Sequence, residues 1–394
     1  MESPPLIFTD FSGSMGLSEL FKELPNAVQP PAFVYKSQRW YARERVAIFQ
    51  QAWHFVCLAS DLTSPGEYIT RSFDNTPIIV VCGNDQRLRA FFNTCRHRGA
   101  PLTQCHHGKM KNFVCPFHHW SYRLDGRLFR APGIEVEDSF QLEKLDANLI
   151  ERPCEVRENL VFINLSQRPP LPLDQYLGNY IETVAKPHAT TTMRCVHHRR
   201  YELETNWKLY TEVDMETLHT PHVHRGSIGE QPVEILQPSG QWVGVFNRSP
   251  QTVAIKPNKR HLGLPFSPNA FGDGLKGTHF CIILPGFFIV NAPDCMWWIQ
   301  KTPINATRVE VDVGYCFPEE VIGTPEYEEK LPCYRERLDQ VIKEDDDIVV
   351  YQHCGLNNCV PGRYTPRETV VHQLAQLLIG TTLQGGFTTP SDTL

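Results

Sequence analysis

Two short loops, each offering one cysteine and one histidine, constrain this chain more than any other feature. Cys95-Arg96-His97 is followed, after 17 residues, by Cys115-Pro116-Phe117-His118, giving the pattern C-x-H-x17-C-x2-H. Two thiolates and two imidazoles suit either a tetrahedral zinc ion or a [2Fe–2S] cluster in which one iron takes both cysteines and the other both histidines. Structural zinc sites usually pair like ligands at close spacing, whereas here each loop carries one of each kind, as a two-iron cluster gripped from two sides requires. Cys105, His106 and His107 lie between the loops and read as ordinary loop residues.

The surroundings of these loops are β-rich. Runs of β-branched and aromatic residues, Glu67 to Arg71, Pro77 to Cys82, Leu88 to Thr94 and Leu160 to Leu165, are separated by turn signals such as Pro65-Gly66. CRHRGAPL (95 to 102) followed by CPFHHWSY (115 to 122) resembles the signature of a Rieske domain. The resemblance implies that Cys95 and Cys115 bind one iron and His97 and His118 the other. In one respect the chain departs from the pattern: His119 stands where the family usually has Gly.

The formal charge of -6, from 38 basic and 44 acidic residues, supplies no global basic field for nucleic acid or an anionic membrane. Thirteen cysteines, an odd number spread along 394 residues, argue for reduced thiols and a cytoplasmic protein. Met1 to Leu20 has no Lys or Arg and no sustained apolar run, so no leader is expected.

Residues 34 to 53 read as an amphipathic helix, making 1–52 a helical segment packed on the catalytic domain. Residues 53–166 form the small all-β domain, and a proline-rich joint at Arg168 to Pro172 opens the larger domain, 167–394. There, strand-like segments at Cys195 to Glu204, Trp242 to Asn247, Thr278 to Asn291, Met296 to Thr302 and Arg308 to Phe317 alternate with helices at Trp207 to Leu218 and Glu326 to Gln352. The class is α+β, with a central antiparallel sheet. No G-x-G-x-x-G or P-loop pattern is present, so no dinucleotide or nucleotide site is expected.

A second metal constellation follows Asn206-Trp207-Lys208. Glu216 and His219 share a helix face, and His219 and His224 can meet one metal if Pro221 breaks the helix between them. A third ligand is found on the later helix, where Leu338, Val341, Ile342, Ile348 and Val349 mark an apolar stripe and Asp345 fills a slot on it. A carboxylate there is costly unless a cation or donor meets it. Asp346 and Asp347 read as solvated charges, His222 as a helix-end histidine, and His197 and His198 as strand residues. Asp214 is equally suited to a role behind the metal ligands and to a solvated helix charge. Two histidines and one carboxylate form the facial triad of a mononuclear non-haem iron site.

The whole layout resembles the terminal oxygenase (alpha) subunit of the ring-hydroxylating Rieske non-haem iron oxygenases. The resemblance implies a helix-flanked antiparallel-sheet catalytic domain of SRPBCC (Bet v1-like) type. His219, His224 and Asp345 match the iron ligands, and Glu216 matches the carboxylate that bridges to a neighbouring subunit's Rieske histidine. It implies O2 as co-substrate, electrons from NAD(P)H through a separate reductase and a possible ferredoxin, and a homotrimer or a trimer of αβ pairs. Glu212-Val213 replaces the family's usual E-N doublet. Phe280, Ile282, Leu284, Phe288 and Trp298 are the candidate substrate-pocket residues. The expected reaction is mono- or dioxygenation of an aromatic compound or aromatic acid. The alternative is N-demethylation or hydroxylation of a quaternary ammonium compound, against which Thr220 stands where that branch often has Cys. A non-catalytic Rieske electron carrier would need the second site to be vestigial.

Overall fold

The computed structural model describes residues 16–134 and 146–387, so the part of the Met1 to Leu20 reading before residue 16 lies outside the described residues. The expected helix over 34 to 53 is instead three short pieces, Phe33–Lys36, Gln38–Glu44 and a wider turn at Arg45–Phe49, before the strand Trp53–Leu58 begins. Ser37 makes the break: its side chain accepts from the Trp40 amide and caps a new helix, which a serine does better than it sits inside one.

That segment is fastened by Glu44, whose carboxylate accepts from Trp40 Nε1 at 2.8 Å and from Trp207 Nε1 at 3.2 Å. It also pairs with Lys208 Nζ at 2.6 Å, both groups being buried. Each residue of the Asn206-Trp207-Lys208 run thus has a task. Asn206 caps the next helix by accepting from the Lys208 amide at 2.9 Å, and its own amide donates to Ala306 O at 2.7 Å.

Among the described residues, the β-rich region holds three antiparallel sheets. Trp53–Leu58 pairs with Leu160–Asn164, and that with Cys154–Arg157. Five strands, in the order His107–Lys109, Glu67–Phe73, Thr76–Cys82, Leu88–Phe92 and Glu151–Arg152, make the second, and three short ones from Phe113 to Arg130 the third. The two cysteine loops are built alike. Gly99 N donates to Cys95 O and Cys95 N to Ala100 O; His119 N donates to Cys115 O and Cys115 N to Trp120 O. The fourth residue after each cysteine is left-handed, Gly99 at φ 76° and His119 at φ 58°. The family's glycine is explained by that backbone, and His119 adopts it under strain.

The larger domain is a seven-stranded antiparallel sheet, ordered Met193–Leu203, Arg308–Pro318, Met296–Asn305, Phe287–Asn291, Gly277–Ile283, Trp242–Arg248, Glu234–Ile235. Thr278 to Asn291, read as one segment, is two strands turning at Leu284 to Gly286. Proline has no amide for a ladder, and a Cβ on Gly286 would sit 2.9 Å from Lys301 O. Helix Pro325–Gly355 agrees with expectation, while helix Thr369–Gln384 was not read from the sequence. The latter buries Val370, Leu374, Ala375 and Leu378 against the strand Trp242–Arg248 and its neighbours. No helix among the described residues is long and apolar enough to cross a membrane.

Stacking and ionic contacts both join the regions. Phe55 stacks on Phe287 at 4.0 Å, and Arg71 pairs with Asp312 at 2.8 Å, both groups buried. His119→Gly is expected to raise stability by about 0.5–1 kcal/mol, and Gly99→Ala, the reverse change at the matching position, to lower it by about 1 kcal/mol. Urea denaturation followed by circular dichroism measures both; a stability loss in His119→Gly contradicts the strain account.

Candidate functional site

In the first constellation Cys95 and Cys115 are buried side by side, and the rings of His97 and His118 are 4.7 Å apart nearer the surface. Tyr122 Oη lies 3.2 Å from Cys95 Sγ and accepts from the Arg96 amide at 3.0 Å, fixing the first loop. His97 stacks flat on Trp120 at 4.7 Å. His118 Nδ1 is buried with no hydrogen-bond partner. A cysteine pair beneath a histidine pair, with an orphaned ring nitrogen turned inward, is a donor set that fits a two-iron cluster. None of the thirteen cysteines is in a disulfide.

The second constellation closes on one point. Single donor atoms of His219, His224 and Asp345 all lie within 4.8 Å of one another. His224 Nε2 is 2.9 Å and His219 Nε2 3.5 Å from Asp345 Oδ1. Both rings are aimed from behind by a carboxylate: His219 Nδ1 meets Glu216 Oε1 at 2.6 Å, and His224 Nδ1 meets Glu344 Oε2 at 2.7 Å. Such partners fix the tautomer that leaves Nε2 free for a metal. Burial disfavours the His219 imidazolium, but Asp345 and Glu216 outweigh it and raise His219 to about 9. Burial likewise opposes ionisation of Asp345, and the bonds from both histidines reverse it, so its carboxyl falls below the usual range. Two imidazoles facing one buried carboxylate form a donor set that fits a metal cation.

The local chain path differs from expectation. The helix starting at Trp207 stops at Val213, and Glu216 sits in the following turn, where Oε2 accepts from the Leu218 amide at 2.6 Å and the His219 amide at 3.2 Å. Pro221 does not break a helix; it opens a new one, Thr220–Val223, with His219 and His224 at its two ends. His222 is exposed.

Of the five candidate pocket residues, Phe280 and Phe288 line a small cavity of about 70 Å³ over the triad. Ile282 and Leu284 are buried but do not line it. Trp298 is on the wrong face. Strand register puts Phe280, Val290, Trp297 and Tyr315 on the cavity side and Trp298 on the other, where it packs on Phe55 at 5.1 Å. Trp297 is the tryptophan in the cavity wall, and alternation along the strand could have distinguished the two.

Asp214 is no solvated charge. It is buried against Lys301 Nζ, and burial pushes it up to about 7 despite that partner. Asp346 also departs from expectation: it accepts from Tyr201 Oη at 3.1 Å, and burial raises it to about 6. Asp347 pairs with Lys343 in solvent, as expected. Glu344 was missed, although it adjoins Asp345; Ser227 Oγ and Gln340 Nε2, each at 2.7 Å, hold it. Glu212 accepts from Tyr35 Oη at 2.9 Å, and burial lifts it to about 7. His198 pairs with Asp312, and His197 stacks on Tyr315 at 5.0 Å.

Comparison with known proteins gives these features a family. Residues 52–141 match the Rieske [2Fe-2S] domain, and residues 190–379 match the ring hydroxylating alpha subunit (catalytic domain). The glycine betaine monooxygenase oxygenase subunit of Chromohalobacter salexigens is 32% identical over 196 residues, 49% of this chain and 42% of that protein. The chain thus spans less than half of that relative. The chloroplastic choline monooxygenase of Spinacia oleracea is 29% identical over 355 residues, 88% of this chain and 76% of that protein. The crystal structure of a quaternary ammonium Rieske monooxygenase superposes with a TM-score of 0.75 at 23% identity, covering 91% of this chain and 95% of that one. Two iron centres, a [2Fe–2S] cluster and a mononuclear iron, are the cofactors of this domain pair. With both domains in order, the chain belongs to the Rieske non-haem iron oxygenases, as an alpha-type oxygenase subunit.

Proposed function

We propose that this chain is the terminal oxygenase of a system that oxidises a quaternary ammonium compound with O2, by N-demethylation or hydroxylation. The observation that carries the oxygenase reading is the triad: two Nε2 atoms and one buried carboxylate converge at the floor of an apolar cavity. Aromatic hydroxylation, the first expectation from sequence, gives way because the glycine betaine and choline relatives act on trimethylammonium compounds. The Phe280 and Phe288 rings suit a methylated cation through their electron-rich faces. Thr220 does not count against this, since its hydroxyl donates to Thr217 O at 2.9 Å and serves the turn.

In this reading Cys95 and Cys115 hold one cluster iron and His97 and His118 the other, while His219, His224 and Asp345 hold the mononuclear iron. When bound, the mononuclear iron supplies O2 activation and the cluster supplies electrons one at a time. The chain's own groups do the rest. Glu344 and Glu216 hold the two imidazoles in orientation, and the Phe280 and Phe288 rings line the cavity over the triad. Glu216 touches His219 on one side and lines a cleft with Tyr35 and Tyr364 on the other. That cleft suits contact with a neighbouring subunit's His97 or His118, hence a homotrimer. The reductase docks on the Rieske domain, where residues 96 to 130 hold seven Lys or Arg against Asp125. Thirteen unbridged thiols favour a reducing compartment, the cytoplasm.

With a surrogate reductase, glycine betaine, carnitine or choline should release formaldehyde or gain one oxygen by mass. Turnover of aromatic acids alone would refute the substrate class. Glu216→Gln is expected to keep iron content and cluster absorbance while oxidation falls by at least about 100-fold, from loss of a charged hydrogen bond and the contact it maintains. Full activity in that variant would refute the bridging role.

A further inference from the structure

The most unusual charge in the chain is Arg337. It is 1% exposed, and among the described residues its guanidinium makes no hydrogen bond or ion pair; Nε is buried without a partner. The Trp297 ring lies 5.2 Å away, and Asp345 favours the charge from a distance without pairing with it. Three other deeply buried cations have an anion: Lys208 has Glu44, Lys301 has Asp214, and Arg71 has Asp312. Burial lowers Arg337 to about 10, which still leaves it cationic at neutral pH. A buried cation with no counter-charge opposes folding, and an apolar side chain of the same length would serve packing better.

Its position gives the reason. Arg337, Val341 and Asp345 recur every fourth residue of helix Pro325–Gly355, and all three line the cavity over the triad. Asp345 faces the two histidines, and Arg337 stands two turns earlier, about 12 Å along the helix axis by the rise per residue. The acids that share the cavity are engaged, Asp214 by Lys301, Glu216 by His219 and Asp345 by both histidines. The missing anion therefore has to come from outside the chain.

We infer that Arg337 receives the carboxylate of the substrate, so that the compound oxidised is a betaine, with a quaternary ammonium at one end and a carboxylate at the other. This rests on the quaternary ammonium reading and narrows it. The planar guanidinium offers a two-point grip on a carboxylate, and Phe280 and Phe288 take the methylated end. An alcohol such as choline enters the same cavity but leaves Arg337 unpaired.

The test uses the reconstituted holoenzyme and two matched pairs, glycine betaine with choline and benzoate with benzyl alcohol. Wild type is expected to favour glycine betaine over choline in kcat/KM. Arg337→Met is expected to lower that ratio by about 10- to 100-fold, the effect of losing a charged hydrogen bond, and to raise the thermal midpoint. Arg337→Lys, which keeps the charge and loses the fork, should fall between and guards against a folding failure in the first variant. A betaine-to-choline ratio unchanged in both variants overturns the anchor while the ammonium reading stands. Turnover confined to the ring pair overturns the ammonium reading, and a benzoate preference lost in Arg337→Met would then still support Arg337 as the carboxylate anchor; equal use of benzoate and benzyl alcohol would overturn it.

Discussion

The catalytic domain turns on one costly placement: the Asp345 carboxylate, buried on the apolar stripe of the long helix and facing two imidazoles. Left alone, such a charge would be expelled or protonated. It is tolerated because Nε2 of His219 and of His224 point at it, and they point at it because Glu216 and Glu344 hold their Nδ1 atoms. The site is therefore three carboxylates around two rings, with the inner one facing both Nε2 atoms. Glu344 and Asp345 are adjacent in sequence and take opposite sides of His224.

The rest of the fold keeps the three pieces that carry these groups in register. The turn with Glu216 and His219 follows a helix capped by Asn206 and pinned through Lys208 and Trp207 to Glu44. The long helix lies over the sheet, whose cavity face carries Phe280, Phe288 and Trp297. The opposite face meets the Rieske region through Phe55 and Arg71. One buried ionic contact thus secures the N-terminal segment, and another the junction between the two iron-binding regions.

Much of this was legible because it is local. Ligand spacing identified both constellations, and the break in the apolar stripe picked Asp345 from a run of three aspartates. What failed depended on partners distant in sequence. Asp346 looked solvated until Tyr201 was placed beside it, and Asp214 was ambiguous until Lys301 was. Trp298 and Trp297 differ only in strand parity, which register with Gly314 and Tyr315 decides. His119 was seen as a departure, but only its positive φ explains why glycine is usual there. Substrate class was least legible, because aromatic rings in a pocket suit ring stacking and cation binding alike.

The central claim is that two separate iron sites share this chain, the second completed by Asp345. Iron content and visible absorbance of purified Asp345→Asn, set beside wild type, test it most directly. The account predicts unchanged cluster absorbance and one iron fewer per chain, because the variant removes the only anionic ligand of the triad. Equal iron content in the two proteins, or loss of the cluster together with the mononuclear iron, would contradict it.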